Sequence, residues 1–357
     1  MLPANTQSLQ TVIKFTYKKR SPFSGPRISV WARPYQMAYH PYVNSKVIMF
    51  GKALSKPVNI IWKSLLKIGT NTKGQFAFTD QHNKKHIIKF RTGNTQFQSI
   101  YSYEHADGYE TEVAALIDML AHDTSVFYDI GSNWGHHSLF LASKPNFNGK
   151  IYAFEPVPDT YRDLCSVVSQ SGLSERIQCL NIGLSNRKTI KHIAFPDHIS
   201  SGLAKLSERG RGPRIAVQAL DDLQLPDPDV IKLDTEGEEA NVLRGGIDLL
   251  KRAKPMVIFE SFPADVQNPM HVLERFKVLE ELGYSFFQPG YFLSQDGIQY
   301  AANTQNGSIN GSDIVLALYE FKAEERFLLS GNNFLACHRE RVEELMSRAA
   351  LYNNSKN

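Results

Sequence analysis

Apolar and polar positions change rhythm twice along the chain. Up to about residue 70 no period is sustained, and Pro22, Pro26, Pro34, Pro41 and Pro57 interrupt a basic, aromatic stretch. Residues 47–69 mix apolar positions with Lys52, Lys56, Lys63 and Lys67, the pattern of an amphipathic surface element. Pro57 breaks any single helix through it. From Gly74 the runs QFAFTD and HIIKFR flank the turn-rich QHNKK, which predicts a β-hairpin over 75–91, with FQSIYS as a third strand. GYETEVAALIDMLAHD then places Val113, Leu116, Ile117 and Leu120 at helical spacing, with Glu110 and Glu112 in the first turn, where the helix dipole favours acids.

Beyond that helix, short apolar runs (SVFYDI, KIYAFE, RIQCLNIGL, VIKLD, PMVIFE) alternate with helical segments (HHSLFLAS, DTYRDLCSVVSQ, EEANVLRGGIDLLKR, HVLERFKVLEEL). Such alternation predicts βαβ units and an α/β fold whose mostly parallel sheet is covered by helices on both faces. GYSFFQPG and DIVLALYEF supply two late strands, expected at an antiparallel edge. Residues 303–311 read as a polar loop, 324–350 as a helical tail, and Asn353 onward as a frayed end.

Composition sharpens this outline. A chain of 357 residues with 42% hydrophobic content buries a full core, which excludes wholesale disorder. The net charge of +4 is an average of unlike parts. Residues 1–100 hold 16 Lys/Arg against the single acid Asp80, +15, while the remaining 257 hold 24 bases against 35 acids, −11. The expected organisation is a basic N-terminal extension (1–100), a catalytic or binding domain (101–322) and a C-terminal tail (323–357). Cys165, Cys179 and Cys337 are odd in number and lack CxxC spacing, so neither a disulfide framework nor a zinc site is expected. With no signal-like apolar stretch at the N-terminus and no run of about 18 apolar residues, the expectation is a cytoplasmic protein, at most peripheral at a membrane surface.

In an open parallel sheet, ligands bind at the carboxyl ends of the strands. The first strand runs into DIGSNWG, where Gly131 and Gly135 permit a tight turn and the next helix points its positive end at the site. The D-x-G-x-x-x-G spacing is not the G-x-G-x-x-G of dinucleotide sites. A simple strand-to-helix turn is the competing reading. Glu155 ends the second strand in FEP, 24 residues after Gly131, where a carboxylate accepts ribose hydroxyls. The fourth strand, VIKLDTEGEE, puts Lys232 and Asp234 on one face, two charges that are costly in an apolar strand unless paired or functional. A structural ion pair and a catalytic role both remain open for Lys232, and function is favoured for Asp234. Glu236 follows, and Glu260 in IFES brings another carboxylate to the same edge. Asp221 and Asp222 suit a loop or cap better than a cation.

Together these segments resemble the FkbM-type family of S-adenosylmethionine-dependent methyltransferases. The resemblance runs from about Tyr109 to Glu260 through YETEV, DIGSNWG, FEP, NIGLSN, ALDDL (219–223), IKLDTEGEE, VLRGG (242–246) and IFE, in the family's order. Two positions depart from it: Ser132 stands where the family has alanine, and DLCSVVSQSG lacks an asparagine pair, which predicts an atypical helix cap. The resemblance implies a class I methyltransferase (Rossmann-like) sheet of seven strands with the last antiparallel, and S-adenosyl-L-methionine as cofactor. Asp129, Gly131, Asn133 and Gly135 would surround its methionine part, Glu155 its ribose, Gly183, Leu184 and Ser185 its adenine, and Asp234 its amine or methyl. No metal-ligand spacing stands out in the sequence. Methyl transfer to an alcohol needs a base, for which Asp234, Glu236 and Glu260 are candidates ahead of His136 and His137. Tyr109 or Glu112 is expected to line the acceptor pocket, and Trp134 to pack under the helix rather than cover the cofactor.

The implied activity is O-methylation of a hydroxyl on a sugar, glycan or related secondary metabolite. An RNA methyltransferase, or a non-catalytic protein that binds membrane or nucleic acid through its basic extension, is the alternative. That extension suits steering of an anionic acceptor, contact with an anionic membrane or, ranked last, nucleic-acid binding. A solvated basic face docked on the core is its plain reading. The oligomeric state has no sequence signature.

Overall fold

The structure, a computed structural model, describes residues 12–28, 73–91, 97, 109–194, 205–207, 212–261, 269–294, 297–300, 313–329 and 332–354. The expectations for residues 47–69, for the 303–311 loop and for all of FQSIYS except Phe97 lie outside these residues. Among the described residues no helix is long and apolar enough to cross a membrane.

Strands β1 (Val12–Lys18), β2 (Phe23–Ile28), β3 (Lys73–Thr79) and β4 (Lys85–Arg91) precede α1 (Thr111–Leu120). Then β5 (Val126–Ile130), α2 (His136–Ala142), β6 (Lys150–Phe154), α3 (Pro158–Gln170), β7 (Ile177–Leu180) and β8 (Gly183–Leu184) follow. Next come β9 (Thr189–Ala194), β10 (Lys205–Ser207), β11 (Arg214–Gln218), β12 (Val230–Leu233), α4 (Glu239–Arg244), α5 (Ile247–Ala253) and β13 (Met256–Glu260). The chain ends with α6 (Pro269–Glu281), β14 (Tyr284–Ser294), β15 (Gly297–Tyr300), β16 (Asp313–Phe321), β17 (Asn333–His338) and α7 (Val342–Asn354).

The central sheet has the order β1-β16-β14-β17-β13-β12-β5-β6-β7, with β15 added to β14. Strands β13, β12, β5, β6 and β7 are mutually parallel, and β17 is antiparallel between β13 and β14. Side-chain alternation sorts the strands onto two faces. Phe127, Ile151, Val230 and Ile258 pack in one core with α1, α2, α3 and α7, while Tyr128, Phe154, Ile231, Leu233 and Phe259 pack in the other with α4, α5 and α6. Continuous burial through these strands is what a doubly covered parallel sheet requires.

Four features differ from the sequence expectation. GYSFFQPG and DIVLALYEF pair antiparallel as expected, but a further antiparallel strand, NFLACH (β17), lies inside the segment expected to be a helical tail, with Phe334 to Cys337 fully buried. A six-residue run between polar flanks cannot be told from a helix turn by periodicity alone. Second, β1 pairs with β16 in continuous register, Val12↔Tyr319 to Lys18↔Asp313, so boundaries at 100 and 322 cut through one sheet. Third, EEANVLRGGIDLLKR makes two helices. A side chain at Gly245 would meet the Ser185 carbonyl oxygen at 2.2 Å, and the chain turns there to let α5 begin. Asp221 caps α5, accepting the N–H groups of Asp248 (3.0 Å) and Leu249 (2.8 Å), which ties LDDL to VLRGG. Fourth, Asn353 does not fray. It accepts the Thr16 N–H at 2.8 Å and ends in helix α7.

Residues 73–91 form the hairpin β3–β4, and β2 pairs with β3 as a third strand. It leans on α3, where the Gln170 side chain bonds both backbone groups of Lys89 and Arg91 pairs with Asp163. A second small sheet, β10-β9-β11-β8, rises beyond the carboxyl end of β7.

Candidate functional site

A cavity of about 230 Å³ opens at the carboxyl ends of β5, β6, β12 and β13. Its floor is the turn after β5. Gly131 and Ser132 both donate backbone N–H groups to the Phe154 carbonyl, and Asp234 donates its own to Ile130. The turn can sit this close only because residue 131 lacks a side chain: at φ +81° an added Cβ would lie 1.7 Å from the Asp234 carbonyl oxygen.

Glu155 stands at the end of β6, as the FEP pattern requires. Its Oε2 accepts the Asn133 N–H (3.0 Å) and its Oε1 the Val157 N–H (2.8 Å), so both oxygens are oriented and each keeps lone-pair capacity toward the cavity. Burial, partly offset by those two donors and reinforced by Asp129 and Asp234, pushes the carboxyl up to about 8. The Asn181 amide fixes the same corner by donating to the Glu155 carbonyl at 2.8 Å. Beside it Val157, Ile182, Leu184 and Ile193 make an apolar wall, to which the small sheet contributes Ile193.

The opposite end is acidic. On the α1 side of the sheet Lys232 lies in register with Asp129, and its ammonium reaches Asp234 Oδ2 at 3.1 Å. Burial works against that ammonium, but Asp234, Asp129 and Glu110 hold its affinity for the proton above the ordinary lysine value. Burial also raises Asp234, against the pull of Lys232. Glu260 is pushed up to about 11 by burial and by Asp234, Glu110 and Glu236, so it carries a proton at neutral pH. Two arginines set the end of its strand: Arg275 donates to the Glu260 carbonyl at 2.7 Å, and Arg326 to the Ser261 carbonyl.

Of the residues singled out in the sequence, Gly131, Asn133, Glu155, Gly183, Leu184, Asp234, Glu236 and Glu260 line this one cavity. Asp129, Gly135 and Ser185 do not. Asp129 lies beneath the turn, bonded by Ser138 Oγ at 2.6 Å, with Oδ1 buried and without a hydrogen-bond partner. Gly135, at φ +91°, lets α2 approach Leu164. Ser185 turns away to Glu238, which also holds Lys191 in a buried pair. Trp134 lines the cavity and is also packed on Phe97, Phe76 and Phe23, and His136 sits among Phe23, Tyr109 and Trp134. Glu112 bonds Asn333 instead, and the residue that reaches the cavity from the start of α1 is Glu110, beside Tyr109.

Glu110 and His137 form a 2.8 Å pair that sequence reading did not single out. Glu110 lies inside YETEV, where its acidity is accounted for by the helix dipole. A left-handed backbone at a glutamate has no signature in one sequence. Glu110, Asn133 and Glu236 are three of six non-glycine residues with positive φ among those described, and all three line the cavity. Such strain gathers at functional sites. Among the described residues no group of His, Cys, Asp or Glu has metal-holding geometry.

Comparison with known proteins adds three findings. Residues 118–286 match the family model described as "Methyltransferase FkbM domain". A curated relative, "Hexuronic acid methyltransferase AglP" from Haloferax volcanii, is 29% identical over 179 residues, 48% of this chain and 71% of the relative. Among solved structures, methyltransferase FkbM from Methylobacillus flagellatus KT aligns at 17% identity over 55% of this chain and 44% of its own, with TM-score 0.33. A SAM-dependent O-methyltransferase from Thermotoga maritima aligns at 15% over 59% and 65%, with TM-score 0.32. The chain thus spans less than half of the first of these structures.

Proposed function

We propose that residues 118–286, which match the FkbM methyltransferase model, act as an S-adenosylmethionine-dependent methyltransferase domain that transfers a methyl group to a hydroxyl of a sugar or glycan. The single observation that carries the reading is the joint geometry of Glu155 and the Gly131 turn, which offers a buried carboxylate with both oxygens aimed beside a turn too tight for any side chain. The cavity's chemistry fits the cofactor: an apolar wall for a base, a carboxylate for a ribose, and an excess of carboxyl groups over lysines for a cation. Gly183 and Leu184, with Ile193 and Val157, would hold the adenine, Glu155 the ribose, Gly131 and Asn133 the methionine part, and Asp234 the charged end.

The cofactor supplies an electrophilic methyl group. The chain's own residues orient the partners and keep water out. Lys232 holds Asp234 in place from below. Burial and the neighbouring carboxylates raise Glu260's affinity for its proton, which suits it to donate a hydrogen bond in the resting site. Asp234 is engaged by Lys232. Glu236, which lines the same cavity on a left-handed backbone, is the group assigned to take the acceptor's proton. The relative's name, a hexuronic acid methyltransferase, supports a sugar-type acceptor.

The test is calorimetric titration with S-adenosylmethionine and S-adenosylhomocysteine, followed by transfer of labelled methyl across glycan, nucleotide-sugar and RNA pools. Binding of neither ligand sinks the reading. Label appearing only in RNA removes the acceptor class.

A further inference from the structure

The carboxyl groups around the cavity are not equivalent. Glu155 belongs to the end with the apolar wall, Asp234 is tied to Lys232, and Glu260 is protonated at rest. Glu110 enters from the other side, on the residue before α1, and its backbone lies at φ 44°, ψ 56°. Glutamate lacks the short local hydrogen bond that eases Asn or Asp into this region, so its surroundings must hold it there. Two groups do. His137, itself 4% exposed, brings Nε2 to 2.8 Å from Glu110 Oε2, and the Tyr109 hydroxyl bonds the same carboxylate. A carboxylate only accepts, so both partners donate to it.

We propose that Glu110 is the residue by which this protein tells the cationic methyl donor from its neutral product: seated by Tyr109 and His137, it presents a fixed negative charge to the sulfonium. The inference rests on reading the cavity as the cofactor site. A nucleoside whose ribose is held by Glu155 and whose base lies on the Val157–Ile193 wall has its sulfur toward the far, acidic end, where Glu110, Asp234 and Glu260 converge. Burial opposes ionisation of Glu110, yet His137, with Lys232 and His136, holds its carboxyl down at about 2. These partners favour the ionised form of Glu110. Such a charge acts strongly on a nearby cation and little on a thioether. Loss of the methyl group removes the attraction, which favours product release.

Isothermal titration of S-adenosylmethionine and S-adenosylhomocysteine into wild type and Glu110→Gln reads this directly, with a thermal melt to verify folding. The variant is expected to bind the sulfonium at least tenfold more weakly, about 1.4 kcal/mol, and the thioether within threefold of wild type. Equal losses for the two ligands, or no loss for either, overturn the proposal. A second measurement needs no variant: wild type must hold the sulfonium at least as tightly as the thioether, and tenfold tighter binding of the thioether overturns it too. Binding of neither ligand by wild type strikes instead at the cofactor site itself.

Discussion

Glu155→Gln probes the cofactor end most sharply, because one carboxyl there sets both a pH dependence and an affinity. Burial pushes it from an ordinary 4.5 up to about 8 in the folded protein. At about 1.36 kcal/mol per unit, ionising it in the ligand-free fold costs up to roughly 5 kcal/mol. The folded state binds the extra proton, so its contribution is intact below about pH 4.5 and is lost as pH rises to about 8. A ligand that brings two hydroxyl donors and a positive charge favours the carboxylate, so binding near pH 7 expels close to one proton. The glutamine variant cannot titrate, and its amide sets an NH₂ against the backbone N–H of Asn133 or Val157. That mismatch is present with or without ligand and lowers stability, while loss of the charged acceptor for the ribose hydroxyls costs about 1.5–3 kcal/mol, a loss in S-adenosylmethionine affinity of roughly 10- to 150-fold. Calorimetry at pH 7 in two buffers of different ionisation enthalpy measures both effects. Wild-type enthalpies should differ between buffers and the variant's should not. Unchanged affinity in the variant, or a wild-type enthalpy indifferent to buffer, refutes the assignment.

Three further outcomes are expected. Gly131→Ala should abolish cofactor binding by calorimetry, since its Cβ would lie 1.7 Å from a carbonyl oxygen, whereas Gly237→Ala, at φ +111° with nothing within 4 Å, should only lower the melting temperature. Glu236→Ala should slow turnover about 100-fold or more with cofactor affinity within threefold, the loss typical of a missing base; unchanged turnover would move the base elsewhere. Asp221→Ala removes the cap of α5 and should cost about 1–2 kcal/mol in denaturant titration, leaving cofactor affinity as it was.

Legibility followed physical range. Glu155, Gly131 and Asp234 were readable because strand ends, tight turns and charges in apolar strands are local necessities. Asp129 shares a motif with Gly131, yet it lies beneath the turn, bonded to Ser138, because it is still within β5 on the face of Phe127 that packs against α2, whereas Gly131 is already in the turn past the strand's end. Glu112 and Glu110 are the same residue type, two positions apart. Only the direction in which α1 leaves the turn decides that Glu112 meets Asn333 and Glu110 meets the cavity. Much of the basic extension that dominates the charge profile lies outside the described residues.

By itself the sequence determined the alternating parallel-sheet core, the turn that demands glycine, and the carboxylates at the strand ends, all consequences of spacing within a few residues. Tertiary structure alone decided that NFLACH is the antiparallel strand beside β13, that β1 closes onto β16, and that Glu110 and His137 meet. Each of those depends on contacts between distant segments, whose partners fix burial and direction, and no local period encodes a partner.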